Sequence, residues 1–185
     1  MKTLIINGSP RKNGDTMALI KELTNELEGE IYRFDVYCED IKACIDCRYC
    51  WQNEGCIIND KMQDIYSLLD EVDNFIIASP LYFSELTGEL LSFASRFQTY
   101  YAQQNIRMNL NYRLKEKLGA LIIVGGGDGS SKPAEDRAET FFNLTNTKFV
   151  KTIRSLNTNT LPAIEDEVAH SDIAELGRLL MENFY

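Results

Sequence analysis

No stretch of the 185 residues approaches the ~18–20 consecutive apolar residues that a membrane-spanning helix needs. The N-terminus, MKTLIING, places four apolar residues before Asn7, too few for a secretory core. A cytoplasmic protein is therefore expected, in a compartment that keeps thiols reduced. Basic residues are in deficit, with 19 Lys and Arg against 28 Asp and Glu, a formal net charge of −9. Broad nucleic-acid binding relies on basic stripes, so no nucleic-acid partner is expected, and no membrane partner. The one histidine, His170, lies among Glu167, Ser171 and Asp172 and reads as a solvated helix-end residue, not a catalyst. Neither the P-loop pattern nor GxGxxG occurs, so no dinucleotide fingerprint marks a nicotinamide site. Internal repeats and low-complexity tracts are lacking too. A single domain over residues 1–185 is expected, with an insertion at about 38–60.

What is present is an alternation of short apolar runs and helical periodicities. Strands are expected at Lys2–Asn7, Ile31–Tyr37, Phe75–Ala78, Leu118–Val124 and Phe149–Ile153. Helices are expected at Thr16–Leu27, stopped by Gly29, after Asp60 as a cap, at Thr87–Tyr101, at 133–146 and at Asp166–Phe184. Continuous apolar strands are covered on both faces, as in parallel sheets. The pattern predicts an α/β fold, a three-layer α/β/α sandwich around a five-stranded parallel sheet. It is flavodoxin-like, with strand order 2-1-3-4-5.

Ligands of such sheets bind at the carboxyl ends of strands. Three strand-end loops stand out. GSPRKNGDT, Gly8 to Thr16, brings glycines, hydroxyls, an amide and two cations to a helix start, where free N–H groups suit a phosphate. The alternative is an ordinary turn with a helix cap. SPLYFSELTG, Ser79 to Gly88, sets Tyr82 and Phe83 just past a buried strand, to edge a flat ring or to pack in the core. GGGDGSS, Gly125 to Ser131, permits positive φ and close ligand approach, or is a flexible loop.

These loops, with the cysteine segment closing in GCIINDKM and the run ASPLYFSELTGELLSFASR, resemble the NADPH-dependent FMN reductase-like family, and within it the iron–sulfur flavoproteins. The resemblance covers most of residues 1–130. It implies an FMN-dependent oxidoreductase or electron-transfer flavoprotein, with NAD(P)H or a ferredoxin-like protein as donor and no catalytic side chain. It implies that Ser9, Arg11, Asn13 and Thr16 hold the FMN phosphate, that Pro80, Leu81, Tyr82 and Phe83 flank the ring, and that Gly125, Gly126, Gly127 and Asp128 line its other edge. Asp15 departs from the family's usual asparagine. Its carboxylate beside a phosphate is unfavourable unless it turns away to cap the helix. A homodimer or homotetramer is implied, and residues 97–114, rich in aromatics and methionine, have interface composition. A non-enzymatic flavin- or metal-binding redox-sensing module is the alternative.

Residues 43–56, ACIDCRYCWQNEGC, gather Cys44, Cys47, Cys50 and Cys56. Spacings of three bring thiols to one side of a tight turn or short 3₁₀ segment. In a reducing compartment such clusters bind metal or do redox work. The resemblance implies a labile [4Fe–4S] cluster on these four thiolates, absent from aerobic preparations. Zinc, a redox pair such as Cys44 and Cys47, and no group at all stay open. Lys42, Arg48 and Lys61 are expected to moderate the thiolate charge, and Trp51 to shield the site or pack at a subunit contact.

Overall fold

The computed structural model describes residues 1–109, 113–127 and 129–182. Five strands form one parallel sheet: β1 (Lys2–Asn7), β2 (Glu30–Asp35), β3 (Asn74–Pro80), β4 (Lys117–Val124) and β5 (Thr147–Ser155), in the order β2-β1-β3-β4-β5. Between them run α1 (Asp15–Glu26), the single turn α2 (Tyr49–Gln52), α3 (Met62–Glu71), α4 (Gly88–Ala94), the single turn α5 (Gln98–Tyr101), α6 (Lys132–Leu144) and α7 (Glu167–Glu182). The order and the parallel sense match the flavodoxin-like expectation. No helix among the described residues is long and apolar enough to cross a membrane.

Side chains alternate across the sheet and so divide the core in two. Leu4, Ile6, Phe75, Ile77 and Leu121 face α3, α4 and α6. Ile5, Ile76, Ala78, Ala120 and Ile122 face α1 and α7. Each fully buried Leu or Ile contributes about 1.5–3 kcal/mol relative to exposure. Strand β2 lies at the edge and is only half-buried, which explains its alternating pattern beside the continuous apolar runs of β1, β3 and β4. Gly29 takes φ +100° just past α1; a Cβ there would lie 2.2 Å from the Met1 carbonyl oxygen, so only glycine fits the turn into β2.

The helix expected at Thr87–Tyr101 is not continuous. After α4 a 3₁₀ turn covers Ser95–Phe97, then come α5 and a π-helical turn at Ala102–Ile106. The Ser95 hydroxyl donates back to the Ser92 carbonyl (2.5 Å), a contact that competes with regular helix and bends it. Phe97 and Tyr100, assigned to a subunit interface by composition, are instead buried in this chain's core, while Tyr101, Ile106 and Met108 are exposed. Leu110 to Tyr112 and Phe184 lie outside the described residues.

A strap at Ala163–Glu165 crosses the start of α1. The Ala163 N–H donates to the Asp15 carboxylate (2.9 Å). His170, in the first turns of α7, is partly exposed, as expected, and also acts as a clasp: Nδ1 meets the Glu22 carboxylate of α1 (2.6 Å) and Nε2 meets the Ile164 carbonyl (2.8 Å). Two acceptors favour the imidazolium. The Ile164 carbonyl, then Glu22, raises the His170 pKa above its ordinary value; burial opposes this and Asp166 adds to it.

A raised histidine pKa stabilises the fold fully below the unfolded value of about 6.5 and loses that stabilisation as pH rises through the folded value. The stability gap between the wild type and His170→Gln is therefore expected to be largest at about pH 5.5 and to close by about pH 9. Urea unfolding at the two pH values reads it, and a gap that is level or grows with pH contradicts the clasp. In the sheet, a Cβ on Gly119 would lie 2.4 Å from Thr147 Cγ2 and 3.0 Å from the Phe142 ring, beside the register shift between Gly119 and Ala120. Gly119→Ala is expected to destabilise by about 1–3 kcal/mol through overpacking, lowering the urea midpoint; an unchanged midpoint contradicts that contact.

Candidate functional site

Parallel strands deliver their following loops to one sheet edge, and a cavity of about 170 Å³ opens there. The loop after β1 supplies Ser9, Arg11 and Thr16 to its wall. Asn7 shapes this loop: its side-chain oxygen accepts the Ser9 N–H (3.0 Å) and its amide donates to Asp35 (2.9 Å). The Ser9 hydroxyl then accepts the Arg11 N–H (3.3 Å). Gly14 stands at the N-cap of α1, and no side chain caps the helix. Asp15, the acidic departure, is committed to the N–H of Ala163 on the strap. It caps a different segment from the one expected, and its charge is held by a donor. The free first-turn N–H groups and the positive end of the helix dipole are left for an anion.

The loop after β3 supplies Pro80, Leu81 and Tyr82. Thr87 ties the first two loops together by donating to the Gly8 carbonyl (2.8 Å), while its N–H bonds Ser79 (3.3 Å). Tyr82 and Glu85 bracket a two-residue turn, with Phe83 at φ 53° and Ser84 at φ 67°. That left-handed pair is the geometry of a type I′ turn, normally left to Gly or Asn. Outside glycine it costs about 1–2 kcal/mol per residue. Phe83 is thereby thrown out into solvent and does not line the cavity.

Among the described residues of the Gly-rich loop after β4, only Gly126 lines the cavity. The Gly125 N–H bonds Ser155 and its carbonyl accepts from Thr158, so its polar groups are spent inside the protein. Neither Gly125, Gly126 nor Gly127 uses a positive φ. Gly126 approaches the Asn159 side chain closely instead: a Cβ would lie 2.6 Å from Asn159 Oδ1, so a larger residue would have to displace that side chain. Asn13 and Gly127 also stand away from the wall, and Asp128 lies outside the described residues. Thr158 and Asn159, from the loop after β5, line the cavity although no motif marked them. The polar run Asn157-Thr158-Asn159-Thr160 after the fifth strand is the signal that finds them.

Cys44, Cys47, Cys50 and Cys56 all border a second cavity, and all are free thiols. Of the two expected forms, a tight turn or a short 3₁₀ segment, the segment has no 3₁₀ helix and turns tightly instead. Asp46 (φ 49°) and Arg48 (φ 59°) are left-handed on either side of Cys47, Cys50 sits in α2, and Gly55 (φ 73°) turns the chain into Cys56. Burial pushes the Cys50 thiol up from its ordinary value, and Cys44 is the next largest cause, with Cys56 and Cys47 adding to it. Trp51, Ile45 and Ile57 wall the cavity, and the Arg48 guanidinium stacks 4.7 Å above the Trp51 ring. Among the described residues no three His, Cys, Asp or Glu side chains form a group able to hold a metal ion in this conformation.

Of the cations expected near the thiols, Lys61 pairs with Asp64 (2.6 Å), while Arg48 lines the cysteine cavity, 3.8 Å from Asp46. A buried cation stands there as well. Arg96 lines the cysteine cavity and pairs with Asp60 (2.7 Å). A larger cavity of about 260 Å³, bordered by Gln103, Arg113 and Asn146, lies toward the amino ends of β4 and β5. None of the strand-end loops reaches it, so size does not mark the site.

The profile of the NADPH-dependent FMN reductase family matches residues 1–159. An iron-sulfur flavoprotein of Methanocaldococcus jannaschii is 27% identical over 146 residues, covering 77% of this chain and 72% of that protein. One from Archaeoglobus fulgidus is 31% identical, covering 73% and 58%. A second from M. jannaschii is 34% identical, covering 68% and 62%. The chain thus spans about three fifths of the length of the latter two. Among solved structures, an FMN-dependent NADH-azoreductase from Bacillus anthracis in complex with FMN superposes with a TM-score of 0.66 at 16% identity, covering 97% of this chain and 99% of that one. A flavone reductase reaches 0.69 at 15% identity, covering 100% and 65%. These structural likenesses carry the fold, and the profile match carries the family: the chain belongs to the NADPH-dependent FMN reductase family.

Proposed function

We propose that the cavity at the carboxyl ends of β1, β3 and β4 binds FMN and that the chain is an FMN-dependent oxidoreductase. The observation that carries this reading is the uncapped N-terminus of α1, with Arg11, Ser9 and Thr16 beside it and the Asp15 carboxylate engaged by the strap. A dianionic phosphate meets helix N–H groups and a guanidinium there, and the one nearby carboxylate is already bonded. Pro80, Leu81 and Tyr82 offer a rigid, partly apolar wall for a flat ring, and Gly126 offers backbone without a side chain between. When bound, FMN supplies the redox chemistry, so the residues have only to hold, orient and tune it. NAD(P)H or a ferredoxin-like protein is the proposed donor and a small electrophile or another carrier the acceptor. A cavity of 170 Å³ is below the ~300–1,000 Å³ of most ligand pockets, which supports completion of the site in a homodimer or homotetramer.

We further infer that Cys44, Cys47, Cys50 and Cys56 hold a [4Fe–4S] cluster. Four soft thiols border one cavity with apolar walls, the donor set that iron–sulfur clusters take.

Titration of the chain with FMN, followed by flavin fluorescence, is expected to give stoichiometric binding at micromolar concentration, weakened about tenfold in Arg11→Ala by loss of a charge-assisted contact. No binding at micromolar FMN ends the reading. Steady-state NAD(P)H oxidation with an added acceptor then separates an enzyme from a sensing module, which binds without turnover. Anaerobic purification with iron, sulfide and zinc analysis is expected to give about four irons per chain. Stoichiometric zinc without iron assigns the thiols to zinc instead.

A further inference from the structure

The cysteine segment is held at both ends by one side chain. Arg96 is 1% exposed, on the 3₁₀ turn beneath the segment. Its Nη1 donates to the Lys42 carbonyl (2.9 Å), two residues before Cys44, and to Asp60 Oδ2 (2.7 Å). Its Nη2 donates to the Ile58 carbonyl (3.2 Å), two residues after Cys56. Asp60 repeats the pattern: Oδ2 also accepts the Lys42 N–H (3.0 Å) and Oδ1 accepts the Met62 N–H (3.1 Å). Neighbours extend the hold, with Ser95 Oγ accepting the Cys44 N–H (2.9 Å) and Gln63 donating to the Cys56 carbonyl (3.1 Å).

One guanidinium nitrogen is left over. Arg96 Nε is buried and has no acceptor among the described residues. A buried donor without a partner is costly, and more so on a charged group. Arg96 lines the cavity that the four thiols border, and Cys56 is close enough to bias its charge. Asp60 is occupied by Nη1 and two backbone N–H groups. The cavity offers four sulfurs as acceptors, beside the oxygens of Asp46, Tyr49, Gln98 and Thr99.

We propose that Arg96 is a positioning residue for the cysteine site: its Nη groups fix the two ends of the segment, and its Nε–H donates to sulfur when the thiols carry their group. The sulfur-directed half rests on the cluster reading above; the clamp does not. Hydrogen bonds to cluster sulfurs raise a reduction potential, so the donor favours the reduced state.

Two variants separate the halves. Asp60→Asn keeps the Nε–H and weakens the clamp. Arg96→Lys keeps a positive charge but removes the Nε–H together with the Nη contacts to Lys42 and Ile58, so its effect on the sulfur site is the part that exceeds the effect of Asp60→Asn. Both are read in the full chain by amide exchange over residues 42–60 without metal, then by midpoint potential and iron release to a chelator after anaerobic reconstitution. Asp60→Asn is expected to speed exchange across the segment, with flavin binding unchanged. Arg96→Lys is expected to lower the potential and to speed iron release by about tenfold or more, the usual consequence of losing a supporting contact at a metal site. Potential and iron release that move no further from the wild type in Arg96→Lys than in Asp60→Asn overturn the sulfur donor. Unchanged exchange in both variants overturns the clamp. A wild-type chain that takes up no iron removes the cluster reading and the sulfur donor together, and the exchange data then decide the clamp alone.

Discussion

All five strands run in one direction, and that constraint decides where chemistry can sit. Each carboxyl end releases a loop onto the same sheet edge, so segments far apart in the chain meet in one cavity: Ser9 after β1, Tyr82 after β3, Gly126 after β4 and Asn159 after β5. The apolar strands beneath are buried on both faces, and their register leaves little room for the loops to shift. Asp15 shows how the frame manages a charge in the wrong place. A carboxylate at the start of α1 favours the helix dipole but repels an anion. The Ala163 N–H takes it up, and the strap and the start of α1 become parts of one arrangement.

The Arg96–Asp60 pair has a different energetic character. Taking both charges out of water costs several kcal/mol per ion, and their attraction roughly offsets this; buried pairs are weak evidence of net stability. Losing one partner is costly because a lone charge stays buried. What the pair supplies is geometry. Between Lys42 and Ile58 the chain has little regular structure and two left-handed non-glycine residues, Asp46 and Arg48. Strain of that kind persists only where surroundings over-determine the backbone. Five hydrogen bonds from Arg96 and to Asp60 do so at the two ends of the segment.

Legibility in the sequence followed the range of the interactions involved. Strands and helices came from local periodicity, and the loops after β1 and β3 from composition at strand ends. The convergence of the four cysteines was legible from their spacing, because the intervening chain is short. The Thr158–Asn159 wall was not, since a polar run after a strand looks like any surface loop until β5 is seen beside β4. Arg96 was hidden for the opposite reason. Flanked by Phe93, Ala94 and Phe97, it sits in an apolar stretch where a cation looks like an exposed interruption, and only its partners 36 and 54 residues away explain its burial. Phe97 and Tyr100 show the limit of composition, which does not tell an aromatic interface from an aromatic core. Here the Phe97 ring packs edge-on against Phe93 and Phe75.

The two cavities are separate, yet one stretch of chain serves both. Pro80, Leu81 and Tyr82 border the first, and Thr87 pins the same loop to Gly8. Seven residues of α4 follow, a rise of about 10 Å. Ser95, Arg96 and Gln98 then hold the cysteine segment through Cys44, Lys42, Ile58 and Cys50. A short helix packed by Leu90, Phe93 and Ala94 is stiff over that length. The spacing of the first cavity from the thiol cavity is therefore a property of α4 and its packing. The strap bonds Asp15 at the first cavity, and Gln63 of α3 bonds the Cys56 carbonyl beside the second. A displacement of α4 against β3 moves both at once, so the core contacts of Leu90 and Phe93 are where the two sites are mechanically joined.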